Sequence, residues 1–299
     1  MAAIHILSLG LEYYLLIGLL IALSRKKGKS YLTNIVPFVL AWMLYDITRG
    51  IADNISPTIH TREIYYLELK LFGWMFGDQI PSFWAQKHQN DTLLVIYAVF
   101  YLFHFAAPFM TAIVILYKSK DEEMFREYVM AFLLTSYAAL ITFIIFPVAP
   151  PWYVYDHGFV QPTDRAGLRE SAANLISVDK MFQTNVLGDF YATFNYNAFA
   201  AFPSLHAGYS YLVAYYLIRE YYPKVGKWAL LAIIYPIGVW SGAVYLNHHF
   251  IVDLLAGMLY AYTSIRIVRY LRAKWKRKKE ASEKAVQWSE AENPEYVKS

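Results

Sequence analysis

The sequence predicts an all-α fold: a polytopic integral membrane helix bundle of about six to seven transmembrane helices with an interfacial helical segment. Three observations predict it. Of the 299 residues, 58% are hydrophobic, and they gather in long runs that hold few charges. Lys and Arg cluster after alternate runs. The aromatic residues, 27 Tyr and 8 Trp among them, crowd the run ends, where an amphipathic ring settles at the headgroup layer.

Taken in order, seven runs are long enough to cross about 30 Å of hydrocarbon at 1.5 Å per residue. They are Ile4–Ser24, Tyr31–Ala52, Thr92–Tyr117, Tyr128–Pro147, Ser204–Tyr221, Trp228–Leu246 and Ile251–Val268. The first has neither a basic leader nor a small-residue cleavage site and is expected to be a retained helix. Between the second and third, the segment from Asp53 to Asn90 mixes Glu63, Glu68 and Lys70 with Trp74 and Trp84. That mixture suits a helix lying in the interface. Almost nothing separates the last two runs, so a tight turn at a membrane face must join them. Residues 1–271 are expected to form one membrane domain. Residues 272–299, basic and then acidic, read as a polar, solvated and disordered cytoplasmic tail.

Orientation follows from the cations. Arg25, Lys26, Lys27 and Lys29 follow the first run, and Lys118, Lys120 and Arg126 follow the third. Arg219, Lys224 and Lys227 follow the fifth, and Arg272 to Lys279 follow the seventh. These segments alternate as one side of a seven-span chain should, which makes them cytoplasmic. Segments 53–91 and 148–203 and the turn near His248 then face outward. The net charge of +4 is local and argues against a nucleic-acid partner, and the absence of Cys excludes disulfides and thiol chemistry.

Ionisable residues converge on the outer face. His206 opens the fifth run, the pair His248 and His249 lies in the turn between the sixth and seventh, and Asp253 follows four residues beyond His249. A short cytoplasmic loop makes the fifth and sixth runs an antiparallel hairpin, so His206 and the His pair share one depth. At i,i+4 spacing Asp253 faces His249, where it can accept a hydrogen bond from the ring and leave the other nitrogen to attack. The second His can protonate a leaving oxygen. A His at a helix end is otherwise an interface residue, and a metal site remains open on the residues alone.

Pro203-Ser204-Leu205-His206 and His249-Phe250-Ile251-Val252-Asp253 resemble the second and third motifs of the type 2 phosphatidic acid phosphatase (PAP2) superfamily. The strings Ala149-Pro150-Pro151-Trp152-Tyr153, Phe202 to Gly208 and Tyr245 to Gly257 resemble, more specifically, its inositol phosphorylceramide synthase branch. The resemblance covers most of residues 45–257, with a PAP2-like core at about 92–271. It implies a metal-independent route with no cofactor. His249 is then the nucleophile that forms a phosphohistidine, Asp253 its orienter and His206 the acid. Ser204 would hold phosphate oxygens through its hydroxyl or its backbone N–H.

The chain departs from the broader superfamily. No Lys–Arg first motif is evident, Leu205 stands where a Gly is usual, and Ala243 stands where an Arg precedes the nucleophile. Arg49, near the outer end of the second run, is a candidate replacement, with pairing to Asp46 or Asp53 as the alternative. Arg165, Arg169 and Lys180 are loop candidates. His248 is assigned to the substrate site, and Trp152 and Tyr153 wall the cleft or anchor at the interface. His104, near the middle of the third run, reads as a satisfied interhelical histidine.

The expected function is a lipid phosphotransferase that moves a phosphoinositol-like head group from a phospholipid or other lipid-phosphate donor to a lipid or polyol alcohol. Water as the final acceptor would make it a lipid phosphate or pyrophosphate phosphatase. A transporter or channel is the alternative of another class. The outer segment 148–203 is expected to exclude water as a lid. The expected location is the plasma membrane, with the site facing outward.

Overall fold

The computed structural model describes residues 29–52, 55–119, 121–162, 173–189 and 197–292. The first expected span, together with Arg25, Lys26, Lys27, Lys120, Arg165 and Arg169, lies outside them. The described residues form helices, connected by turns and by isolated backbone bridges.

In chain order these are α1 (Lys29–Ala52), α2 (Glu63–Phe72), α3 (Pro81–Lys87), α4 (Asp91–Phe103), α5 (Ala107–Val114) and α6 (Glu122–Ile145). There follow α7 (Pro151–His157), α8 (Leu175–Phe182), α9 (Leu205–Val225), α10 (Ile234–Tyr245) and α11 (Ile251–Glu292). Local chemistry sets several starts. Asn90 caps α4 by accepting from Leu93 N at 3.1 Å, and Asp121 caps α6 by accepting from Met124 N at 2.8 Å. Each oxygen satisfies a first-turn N–H that has no partner within its helix.

Three helical stretches of the described residues are long and apolar enough to cross a membrane: Glu122–Ile145, Leu205–Tyr245 and Ile251–Ala285. The pair α4 and α5, bent by 53°, makes a fourth when taken as one span. The third expected run is therefore broken rather than continuous, with the bend at His104–Ala106 just ahead of Pro108, which cannot extend an existing ladder.

Leu205–Tyr245 folds back on itself. Gly226 ends α9 at φ 59°, and a 3-10 segment, Gly226–Ile233, leads into α10. Trp240 Nε1 then donates to Ser210 Oγ at 2.9 Å. Residues that far apart in sequence would stand roughly 45 Å apart on one straight helix, so α9 and α10 are the antiparallel hairpin expected of the fifth and sixth runs. The tail differs from expectation, because α11 continues through residues 272–292 instead of ending near Val268. That stretch is rich in Lys, Glu, Arg and Ala, all strong helix formers, and Lys279 pairs with Glu283 at 3.7 Å across one turn.

The bundle is apolar outside as well as inside, as a lipid-facing surface should be: Leu40, Leu44, Ile141, Ile145, Ile237 and Leu259 are exposed. Buried hydroxyls tie helices together, with Tyr137 donating to Ala41 O and Tyr128 to Pro108 O, both at 2.8 Å, and Ser136 meeting Tyr209 at 2.7 Å. Such bonds contribute about 0.6 to 2 kcal/mol each in a bilayer. Small residues bring α9 and α11 closest. A Cβ on Gly257 would collide with the Ser204 carbonyl, and one on Gly208 would lie 3.1 Å from Gly257 O. At the far end of the bundle Glu127 of α6 pairs with Arg219 of α9, accepts from Tyr216 OH at 3.2 Å and lies 3.8 Å from Arg269 of α11.

Backbone bridges order the segments above the bundle. His60, Val148 and Ala200 lie side by side in parallel, through His60 N to Pro147 O at 2.9 Å and Val148 N to Phe199 O at 2.8 Å. This short ladder leads directly into the Ala201 carbonyl and the start of α9.

Candidate active site

The site is built where α9 begins and where the turn between α10 and α11 closes. Ser204 is the N-cap of α9, its Oγ accepting from Ala207 N at 3.4 Å. His206 is therefore in the first turn. The turn of residues 246–250 is wound around one carbonyl, Ala243 O, which accepts from His248 N at 2.9 Å and His249 N at 3.1 Å. Asn247 takes φ 64°, a left-handed value that Asn tolerates better than most residues.

These two pieces bring His206 and His249 together, with His206 Nδ1 3.0 Å from His249 Nε2. The other nitrogen of His249, Nδ1, lies 3.1 Å from Ala201 O and 3.4 Å from Asp253 Oδ2. Both neighbours are acceptors, so Nδ1 carries the proton and Nε2 holds the lone pair, accepting from His206 Nδ1–H. Burial pushes the His249 imidazole down to about 3, against the opposing pull of the Ala201 carbonyl, so the ring is neutral and its Nε2 lone pair is available at ordinary pH.

Asp253 is fully buried, and its Oδ2 also accepts from Phe250 N at 2.9 Å. The sequence places Asp253 as the orienter of His249. In the structure it shares that position with the main-chain carbonyl of Ala201, which is the nearer acceptor.

Rings hold His206. Tyr101 of α4 stacks on it at 4.2 Å between centroids and 13° between planes, and the same tyrosine stacks on His248 at 4.7 Å. His104 lies against His206 at 4.0 Å. Neither nitrogen of His104 has a hydrogen-bond partner among the described residues. The expectation of a satisfied interhelical histidine is thus corrected. The break after α4 turns His104 onto the His206 ring, where aromatic contact replaces hydrogen bonding.

The remaining candidates divide. Ser204 is buried beside His206, but its backbone N–H donates to Asp253 O at 2.9 Å, so only the hydroxyl is left to donate to a phosphate oxygen. His248 is brought into the ring stack. Arg49 lies in the last turn of α1 and binds Asp46 at 2.9 Å, while its carbonyl accepts from Asn197 Nδ2 at 3.3 Å. Trp152 is tied to the turn by its backbone N–H, which donates to Asn247 O at 3.0 Å. Tyr153 is directed away, its hydroxyl donating to Val160 O at 2.9 Å and its ring packing on Phe199. Both rings belong to a buried apolar cluster with Ile59 and Ala198 rather than to the histidine stack. Lys180 is exposed. Ala243 is fully buried in one apolar cluster with Leu94, Ala98 and Leu246.

The outer segment lies over the turn: Asn174 N–H donates to Leu246 O at 3.4 Å, and its side chain binds Gln86, which itself donates to Tyr245 O at 3.2 Å. Asp179 ties the segment internally, accepting from Gly188 N at 2.7 Å, Leu187 N at 3.1 Å and Thr184 Oγ1 at 2.7 Å.

Glu68 of α2 was not singled out from the sequence. It is fully buried, and its two carboxylate oxygens accept from Ile251 N at 2.9 Å and Val252 N at 3.0 Å. Burial pushes its carboxyl up to about 7, opposed by those two N–H groups. The available signal was a glutamate inside an otherwise apolar and aromatic stretch. Tyr101 and His104 had a comparable signal, polar rings three apart on one face of an apolar helix.

The chain is 29% identical over 230 residues to the phosphoinositol dihydroceramide synthase of Bacteroides thetaiotaomicron, covering 75% of this chain and 72% of that one. It is 28% identical over 262 residues to the catalytic subunit of inositol phosphorylceramide synthase of Saccharomyces cerevisiae, covering 86% of this chain and 61% of that longer protein. The inositol phosphorylceramide synthase of Candida albicans is 26% identical over 236 residues, 47% of its length. No solved structure matches the chain. The family model described as the PAP2 superfamily matches residues 62–267, more than half of the sequence and the whole of the histidine site, and the chain belongs to that superfamily.

Proposed function

We propose that this chain is a membrane phosphotransferase that moves a phosphoinositol-like head group from a phospholipid to a lipid alcohol, with His249 as the covalent carrier. The observation that carries the reading is the paired arrangement of the two imidazoles: His249 Nε2 holds a directed lone pair opposite the Nδ1–H of His206. The relatives named as phosphoinositol dihydroceramide and inositol phosphorylceramide synthases support the choice of head group.

The chemistry is a double displacement. His249 Nε2 attacks phosphorus, an N–P bond forms, and the P–O bond to the donor's glycerol oxygen breaks. His206 in its protonated form gives that oxygen a proton. The acceptor hydroxyl then attacks the phosphoinositol–histidine, returning its proton to His206 and freeing His249. Asp253 and the Ala201 carbonyl keep the proton on Nδ1 and stabilise the positive charge that the ring acquires when its other nitrogen is phosphorylated. The two rings touch at 3.0 Å, so they must part by a few ångströms, roughly the width of a phosphoryl group, for substrate to enter. The reading also places the turn on the outer side of the plasma membrane and residues 1–271 in one membrane domain.

Acid-labile label trapping tests the proposal. Purified wild type, His249→Ala and His206→Ala are incubated with phosphatidylinositol labelled in the phosphate. Label on the wild type, lost in His249→Ala and accumulating in His206→Ala, is the expected result. Label retained in His249→Ala overturns the carrier assignment. Release of inositol phosphate to water as the sole product, with a lipid alcohol present, makes the protein a phosphatase.

A further inference from the structure

The first N–H groups of the helix that carries Asp253 have no partner within the helix. They must find acceptors elsewhere or remain unpaired in a buried place, at a cost of about 1 to 3 kcal/mol each. Phe250 N takes Asp253 Oδ2, and Ile251 N and Val252 N take the two oxygens of Glu68, which reaches in from α2. Around Glu68 the packing is apolar, with Ile64, Ile80, Phe250 and Ala201 buried in one cluster and Leu69 and Phe202 against it.

We propose that Glu68 is a positioning residue for the reaction, holding the first turn of α11 so that Asp253 Oδ2 stays within reach of His249 Nδ1. The proposal rests on the reading of His249 as nucleophile. Glu68 touches none of the reacting atoms and acts through the turn. Three adjacent donors, Phe250, Ile251 and Val252, point towards the carboxylates there. With Glu68 present, two of them are satisfied from α2, and Asp253 Oδ2 serves only Phe250 N at 2.9 Å and the His249 ring at 3.4 Å. Without it Ile251 N and Val252 N lose the carboxylate that holds them, and the first turn of α11, which carries Asp253, is no longer fixed from α2. Asp253 shifts with that turn, away from a ring it already holds at only 3.4 Å. Ala201, whose carbonyl lies 3.1 Å from His249 Nδ1, shares a buried cluster with Phe250 and with Ile64 of α2. The interfacial segment thus belongs to the catalytic machinery, although α2 carries no residue of either motif.

The test compares Glu68→Gln, Glu68→Asp and Glu68→Ala with wild type in detergent, measuring kcat and KM for phosphatidylinositol per folded molecule, and amide hydrogen exchange at Ile251 and Val252. Gln keeps the shape but offers one acceptor to two donors, so its amide nitrogen faces a backbone N–H. The expected result is a kcat about ten- to hundredfold lower in Glu68→Gln at nearly unchanged KM, faster exchange at those amides, and partial recovery in Glu68→Asp. Wild-type kcat in folded Glu68→Gln overturns the proposal. So does a loss confined to yield and thermal midpoint, which marks Glu68 as structural only. Should Glu68→Ala fail to fold, the Gln and Asp variants still decide. If wild type consumes donor but passes the head group only to water, transfer fails as a reading, while the ratio of turnover numbers still tests Glu68.

Discussion

Ser204 and Asp253 are joined main chain to main chain: the Ser204 N–H donates to the Asp253 carbonyl at 2.9 Å. This bond locks the cap of α9 to the first turn of α11. His206 and Asp253, far apart in sequence, consequently move as one unit. The contact is possible because Gly257, one turn further along α11, has no side chain to hold Ser204 away.

Gly257→Ala is therefore expected to be costly. The new Cβ meets backbone, which cannot swing aside, so α9 and α11 must separate. The expected loss is about 1 to 3 kcal/mol in stability, with transfer activity reduced at least about tenfold. Thermal unfolding and turnover in detergent measure both, and wild-type values for the two together would show that the helices have slack at this point.

Asp253→Asn separates charge from shape. The Ala201 carbonyl still holds the His249 Nδ1 proton at 3.1 Å, so the tautomer survives while stabilisation of the charged ring is lost. A fall in kcat of about 10² to 10³ is expected, less than the complete loss in His249→Ala. Equal losses in the two variants would mean that the carbonyl contributes nothing.

Asp179 supplies a pH dependence. Burial alone would raise its pKa, but the Gly188 and Leu187 N–H groups and the Thr184 hydroxyl outweigh that and hold it below the usual carboxylate range. The folded value is depressed, so the stability it contributes is fully present above the unfolded value and is lost as pH falls through the folded one. Limited proteolysis of residues 173–189 in Asp179→Asn should run about three- to tenfold faster than in wild type at pH 7. The two should converge in strong acid, and a constant ratio across pH would remove the carboxylate from the explanation.

Glu127→Gln probes the opposite end of the bundle. It unpairs Arg219 and weakens the tie between α6, α9 and α11. Arg219 is part-exposed, so solvent tempers the loss to about 1 to 2 kcal/mol. A thermal midpoint lowered by several degrees with unchanged kcat per folded molecule is expected. A large fall in kcat would instead couple the two ends of the bundle.

Much of the site was legible because it is local or periodic. Asp253 stands one helical turn from His249, and a hairpin of two apolar runs brings His206 level with the turn, so spacing alone predicts the encounter. Glu68, Tyr101 and the Ala201 carbonyl were not legible in this way. Glu68 meets α11 from a segment nearly two hundred residues away, and a carbonyl has no identity in a sequence at all. The bend at His104 was missed because apolar composition is the same on both sides of it. The continuation of α11 was missed because polarity was read as disorder, although Ala, Lys, Glu and Arg favour helix wherever no competing contact exists.

By itself the sequence determined the all-α membrane class of the bundle, the approach of His206 to His249 and the place of Asp253 one turn beyond, because burial of apolar runs and helical period act over neighbouring residues. The tertiary structure alone decided which acceptors hold the His249 proton, which hydrogen bond removes the Ser204 N–H from the site, and which carboxylate secures the start of α11. Those choices depend on buried donors finding acceptors on distant segments, a requirement set by desolvation and satisfied only once the bundle has packed.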